Sequence, residues 1–200
     1  MSSRQNESIK TTFLHQEYWS LTVQASFSRA NVYKKGLEDN SATEKKKVKF
    51  KSGLLNHIKE LVESQYSKSE VTENSHIQNI QNLIAESEKH ADILNDDKGK
   101  RITFGVAQKL LNLYLKYLWC AGDLKIAPPH FPVDRMILEE IKFPLREGKF
   151  VNWTTLNDEE IYREIIQHFK AYGGCEKARG IESLAAKELI IYKELRVAKH

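Results

Sequence analysis

The chain has 200 residues, of which 40% are hydrophobic and 29% charged, and a net charge of +4. That balance excludes global disorder, leaves enough apolar material for a real core, and permits a polyanionic partner without demanding one. Only four prolines and nine glycines punctuate it, and its apolar residues recur at helical rather than alternating spacing, which argues against a sandwich or barrel.

The expected fold class is all-α, an irregular multi-helix bundle forming a single helical domain over 1–200. Its N-terminal helical part covers about 1–95 and its later helices about 100–200. Phe13, Leu14, Tyr18, Trp19, Leu21, Val23, Phe27, Val32 and Tyr33 give residues 11–37 a largely helical reading, weakened by the β-branched Thr22, Val23 and Val32. Aromatics at this spacing read as core rather than as a base-stacking surface. Asp39 to Thr43 has loop chemistry, and the basic cluster Lys45, Lys46, Lys47, Lys49 and Lys51 follows it as a solvated segment.

Ser52 is the expected cap of a helix with Leu54, Leu55, Ile58, Leu61 and Val62 on one stripe. Asn74 or Ser75 begins the next, with Ile77, Ile80, Leu83 and Ile84 buried. The polar run Asn95 to Arg101 reads as a turn between elements. After it comes the most apolar helix of the chain, apolar on nearly every side from Leu110 to Trp119 and so expected to be surrounded by other helices. A helix starting at Asp134 should stop near Pro144. Another is capped by Thr155 or Asn157 and ends at Gly173-Gly174, and a last one starts at about Ile181. No fixed-period repeat is present, which disfavours a solenoid.

Leu110 to Ala121 is broken by Asn112 and Lys116 and is too short to cross a bilayer. The polar Met1 to Glu7 carries no apolar signal segment. No membrane association and a cytoplasmic location are therefore expected, with Cys120 and Cys175 as reduced thiols. Seven histidines include no pair at metal-ligand spacing on one helix face. A His-Glu-x-x-His motif, a P-loop and a Gly-x-Ser-x-Gly elbow are absent, so no metal is expected.

The chemistry concentrates between residues 105 and 134. Lys109 sits near the start of the apolar helix, one turn after Gly105. Partial desolvation and the positive end of the helix dipole both favour the free amine that a nucleophilic lysine needs. Pro128, Pro129 and Pro132 stiffen the approach to Asp134, which opens the next helix and can accept backbone N–H bonds while ionised.

Gly105-Val106-Ala107-Gln108-Lys109 followed by Pro132-Val133-Asp134 resembles the helix-hairpin-helix DNA glycosylases, in particular the 8-oxoguanine type. Ala107 stands in place of the second hairpin glycine, Thr103-Phe104 in place of the usual Leu-Pro, and the connection to Asp134 is longer. The resemblance implies an all-α fold and a DNA glycosylase, with or without AP-lyase activity, that removes an oxidised purine from double-stranded DNA without a cofactor. Lys109 would be the Schiff-base nucleophile. Asp134 would activate it and offset charge on the sugar, while the target base is flipped from the duplex. Gly105 and Val106 would bring hairpin backbone to a phosphate, and Lys98, Lys100 and Arg101 just before them would add phosphate contacts. The same residues carry a second reading: a non-catalytic helical binding or regulatory protein, in which Lys109 is a solvated lysine and Asp134 an ordinary N-cap lying apart from it.

Overall fold

A computed structural model describes residues 3–146 and 148–197. Among the described residues seven helices follow one another: α1 (Ser3–Phe27), α2 (Ser41–Leu61), α3 (Glu73–Glu88), α4 (Phe104–Ala121), α5 (Arg135–Glu140), α6 (Glu159–Ala171) and α7 (Leu184–Val197). A π-helical turn, Val62–Tyr66, prolongs α2, and short 3₁₀ turns stand at Asp96–Lys98, Trp153–Thr155 and Glu176–Ala178. The described residues contain no strand, only the isolated bridges Tyr33 to Leu94 and Arg146 to Lys149. The all-α reading is correct.

At the centre lies α4, every residue of which from Phe104 to Lys116 is buried. The Thr103 hydroxyl caps its start by accepting from Val106 N, and Gly122 ends it in the left-handed conformation at φ 84°. Helices α1 and α3 pack against α4, and α2 packs against α3. Tyr162 of α6 reaches α4 through a tilted ring contact with Phe104 at 5.0 Å and a hydrogen bond to Asn112, and Glu188 of α7 reaches it through Lys116. One contiguous apolar cluster joins Phe50, Leu54 and Ile58 of α2, Ile80 and Leu83 of α3, Leu110 and Leu111 of α4, Ile165 and Phe169 of α6, and Ile191 of α7. Each such side chain contributes about 1.5–3 kcal/mol on burial, so this cluster is what gathers the helices around α4.

Several local expectations change. Helix α1 stops at Phe27, and Val32 and Tyr33 run extended beside residues 93–95, with Lys34 N donating to Ile93 O and Asn95 N to Val32 O. Tyr18, Trp19, Phe27 and Tyr33 do pack on the core, but Phe13 is exposed. The loop expected at Asp39 to Thr43 is a helix start: Asn40 caps α2 by accepting from Thr43 N. The basic cluster therefore lies on a helix, and Ser52 is interior to it, because burying Phe50 together with Leu54 and Ile58 requires one continuous stripe.

Thr72, not Asn74 or Ser75, caps α3, and Asp158 caps α6. Helix α6 ends at Ala171, just before Gly173, and α7 begins at Leu184. No helix among the described residues is long and apolar enough to cross a membrane.

Candidate active site

Two helix starts meet at the site. Lys109, 8% exposed, projects from the second turn of α4, and Asp134 stands immediately before α5. The Asp134 carboxylate is divided between two tasks. Its Oδ1 accepts from Met136 N at 3.0 Å and Ile137 N at 3.3 Å, closing the first turn of α5. Its Oδ2 lies 3.3 Å from Lys109 Nζ. The aspartate is thus an N-cap and an ion-pair partner at once, oriented by two amides that leave the second oxygen directed at the amine.

Trp153 completes the site, its ring face 4.2 Å from Lys109 Nζ. It arrives on the turn over residues 152–156, which presses against the first turn of α4. Gly105 is the reason that approach is allowed. A Cβ there would fall onto the Trp153 carbonyl oxygen, and Gly105 N donates to Leu156 O at 2.8 Å. Asn152 Oδ1 folds the turn by accepting from Thr154 N and Oγ1. Thr103 Oγ1 donates to Thr154 O at 3.1 Å, and Asn157 Oδ1 accepts from Phe104 N at 3.3 Å.

Lys109, Asp134 and Trp153 border a cavity of about 470 Å³ that opens between the end of α1, at Ala25, Ser28 and Arg29, and the start of α5. A second hollow of about 350 Å³ adjoins it across Trp153, walled by Leu138, Phe150 and Val151. Arg29, held at φ 63°, and Arg135, paired with Glu139 at 2.6 Å, line both. The pair is therefore neither sealed in the core nor spread on the surface. It forms the wall of a cleft with a charged side and an apolar side.

The remaining residues expected at the site separate. Gly105 and Val106 are not a loop open to DNA: both lie within α4, both are buried, and both amides are taken, by Leu156 O and Thr103 Oγ1. Their role is packing. Lys98 is likewise engaged within the fold. It is half-buried and donates to Ala30 O and to Thr154 O, tying the end of α1 to the 152–156 turn, and burial lowers its pKa. Lys100 and Arg101 stay exposed, paired with Asp96 at 3.7 Å and Glu88 at 3.2 Å. Surface pairs of this kind are weak and exchangeable.

Ala107, in place of a second glycine, is fully buried inside α4, where no left-handed backbone is required. Trp153 and Arg29 carried no signal in the sequence, since each is distant from both motif halves and follows no recognisable spacing. Among the described residues no three His, Cys, Asp or Glu side chains group so as to hold a metal ion.

A second ionic contact lies further along α4. Lys116 donates to both carboxylate oxygens of Glu188, at 2.9 and 2.6 Å, and both residues are buried. Burial raises the Glu188 pKa, Lys116 opposes the rise, and the charge of Asp134 adds to it. Behind the site the core holds a polar network. His76 Nε2 meets Asn112 Oδ1 at 2.8 Å, and His76 Nδ1 meets the Tyr66 hydroxyl at 2.7 Å. His130 Nδ1 meets the Tyr162 hydroxyl at 3.0 Å. Burial lowers the pKa of His76 to about 4 and that of His130 well below the ordinary histidine value.

Comparisons with family models, curated proteins and solved structures found no match to this chain.

Proposed function

We propose that this chain is a DNA base-excision glycosylase, with AP-lyase activity, acting on an oxidised purine such as 8-oxoguanine in double-stranded DNA. The observation that carries the proposal is the 3.3 Å approach of Lys109 Nζ to Asp134 Oδ2 in the wall of an open cleft. An amine with an adjacent, independently oriented carboxylate is what Schiff-base chemistry at a sugar carbon needs. It requires no cofactor.

In this mechanism a damaged nucleotide is extruded from the duplex. Its sugar enters the chamber of Lys109 and Asp134, and its base enters the apolar hollow beside Trp153, Leu138 and Phe150, whose faces suit a flat ring. Asp134 Oδ2 accepts a proton from the lysine. The amine lone pair then forms a bond to C1′ as the C1′–N9 electron pair departs with the base, which takes up a proton. Opening of the sugar ring leaves the Schiff base on Lys109. Asp134 passes the proton it took to the departing base, and the carboxylate so restored offsets the positive charge on the sugar.

The non-catalytic reading expected Lys109 and Asp134 to lie apart or on different faces, and their 3.3 Å approach is what supports the enzyme instead. Borohydride trapping tests the proposal, using duplexes with 8-oxoguanine, an abasic site or undamaged guanine, and wild type beside Lys109→Gln. A lysine-dependent covalent adduct on the 8-oxoguanine strand is expected. An adduct confined to the abasic strand would leave the amine chemistry and remove the oxidised purine. Absence of any adduct from folded protein overturns the assignment.

A further inference from the structure

Gln108 immediately precedes Lys109 and is completely buried. Its carboxamide pairs with the backbone of Val133, which immediately precedes Asp134. Gln108 Nε2 donates to Val133 O at 2.7 Å, and Gln108 Oε1 accepts from Val133 N at 3.1 Å. One side chain thus makes the two-bond pairing that one strand ordinarily makes with another. The other valences are also filled. Nε2 donates to Gly105 O at 2.9 Å and Oε1 accepts from Asn112 Nδ2 at 3.1 Å, so two donors and two acceptor positions are all in use.

Nor is the clamp free to rotate. Asn112 Oδ1 faces His76 Nε2, and Asn112 Nδ2 also donates to the Tyr162 hydroxyl at 3.2 Å. Swapping the Gln108 amide would set N–H against N–H at Val133 and at Asn112, so the orientation is determined from both ends. The two residues of the candidate site therefore each sit one peptide unit from a single fully satisfied buried contact. Otherwise, the segment between α4 and Asp134 reaches the site through an irregular stretch carrying three prolines.

We infer that Gln108 is a positioning residue that sets the separation of the Lys109 amine and the Asp134 carboxylate, a role that rests on the glycosylase reading above. It touches neither the cavity nor the reacting atoms. It acts by holding the entry of α5 against the first turns of α4. Breaking the clamp leaves Val133 N–H and C=O unpaired in the core and frees Asp134 to move relative to Lys109. A misplacement of about 1 Å at reacting groups costs on the order of a hundredfold in rate.

The test compares wild type, Gln108→Leu and Gln108→Glu, which keeps the acceptor for Val133 N and loses the donors to Val133 O and Gly105 O. Two quantities are measured on protein shown to be folded by circular dichroism. One is the single-turnover rate of base release from an 8-oxoguanine duplex across pH, alongside duplex affinity. The other is the pH-dependent acetylation rate of the Lys109 amine by acetic anhydride without DNA, read by peptide mass spectrometry.

The expected result for both variants is a rate lowered by roughly tenfold to a hundredfold, with duplex affinity unchanged and both the pH–rate profile and the Lys109 acetylation profile displaced. A folded Gln108→Leu protein with wild-type rate and wild-type Lys109 acetylation overturns the positioning role. So does failure of both variants to fold, which would assign Gln108 to stability alone. Should wild type release no base from any duplex, the glycosylase reading fails by itself. The acetylation profiles then still decide whether Gln108 sets the environment of Lys109.

Discussion

Asp134 turns one carboxylate oxygen to the backbone of α5 and the other to Lys109, 3.3 Å away. Capping and chemistry are thereby placed on a single side chain, and substitution can separate them. Asn is as good an N-cap as Asp, so Asp134→Asn should keep the cap and lose only the ion pair with Lys109, while base release falls by about 10²–10⁴-fold, the usual scale for a lost acid–base group. Asp134→Ala should lose the same activity and a further ~1 kcal/mol of stability with the cap. Single-turnover kinetics and urea titration on both variants check this. Equal destabilisation by the two substitutions would sink the division of labour.

Gly105 offers a steric prediction. A Cβ at this position meets the carbonyl of Trp153, and the neighbour is backbone of a turn held to α4 by Gly105 N and Thr103 Oγ1 rather than a flexible side-chain end. Gly105→Ala should destabilise by about 1–3 kcal/mol, the range of overpacked cores. It should also shift Trp153 away from Lys109, visible as altered tryptophan fluorescence. If the variant is as stable as wild type, the 152–156 turn is looser than its contacts imply.

The lysines before α4 should differ in kind. Lys98→Met removes the donor to Ala30 O and Thr154 O and should lower stability without changing the salt dependence of DNA binding. Lys100→Ala and Arg101→Ala should leave stability near wild type. If they face the duplex as the glycosylase reading expects, each should reduce the slope of log affinity against log salt by about 1. Fluorescence anisotropy over a salt series distinguishes the two behaviours.

Buried histidines make stability depend on pH. His76 and His130 have folded-state pKa values depressed by burial, His76 to about 4. Between that value and the unfolded value of about 6.5, the unfolded chain binds more protons than the folded one. Stability from these groups is complete above pH 6.5 and is lost as pH falls through the window toward 4. Each contributes a slope approaching ~1.4 kcal/mol per pH unit. Urea midpoints at pH 7.5 and 5 should therefore fall with acidity, and His76→Asn should flatten the dependence.

Lys116 and Glu188 form an ion pair with almost no exposure. Glu188→Ala strands a buried ammonium and should cost about 3–5 kcal/mol, whereas Lys116→Met with Glu188→Leu should recover most of that loss. Chemical denaturation of both variants beside wild type checks this. A mild single variant and a damaging double would contradict the burial.

The helical class and the enclosure of α4 were readable from periodicity, because an all-apolar stretch has no face to give to water. Both residues of the candidate pair were readable too, since a lysine one turn into a buried helix and an aspartate before the next each carry a local meaning. Boundaries were less legible. Asp39 to Thr43 has loop composition, yet Asn40 is a cap, because the same short polar side chains serve both ends of that choice. Ser52 has the chemistry of a helix start, yet it lies inside α2 because Phe50 and Leu54 are buried on one continuous stripe.

What the sequence by itself determined is local: the 3.6-residue periodicity, the capping aspartate, the lysine on α4, and the glycine within its first turn. Which backbone that glycine would admit was decided only by tertiary structure. It admits the turn carrying Trp153, not a phosphate, because Leu156 O and the Trp153 carbonyl already occupy the space and the donor. Tertiary structure likewise decided that Lys98 ties α1 to that turn, and that Gln108 meets Val133 across the 25 residues separating them. Those contacts depend on a buried carbonyl or amide finding a partner from a distant segment, and the demand to satisfy it is met only once the core has closed.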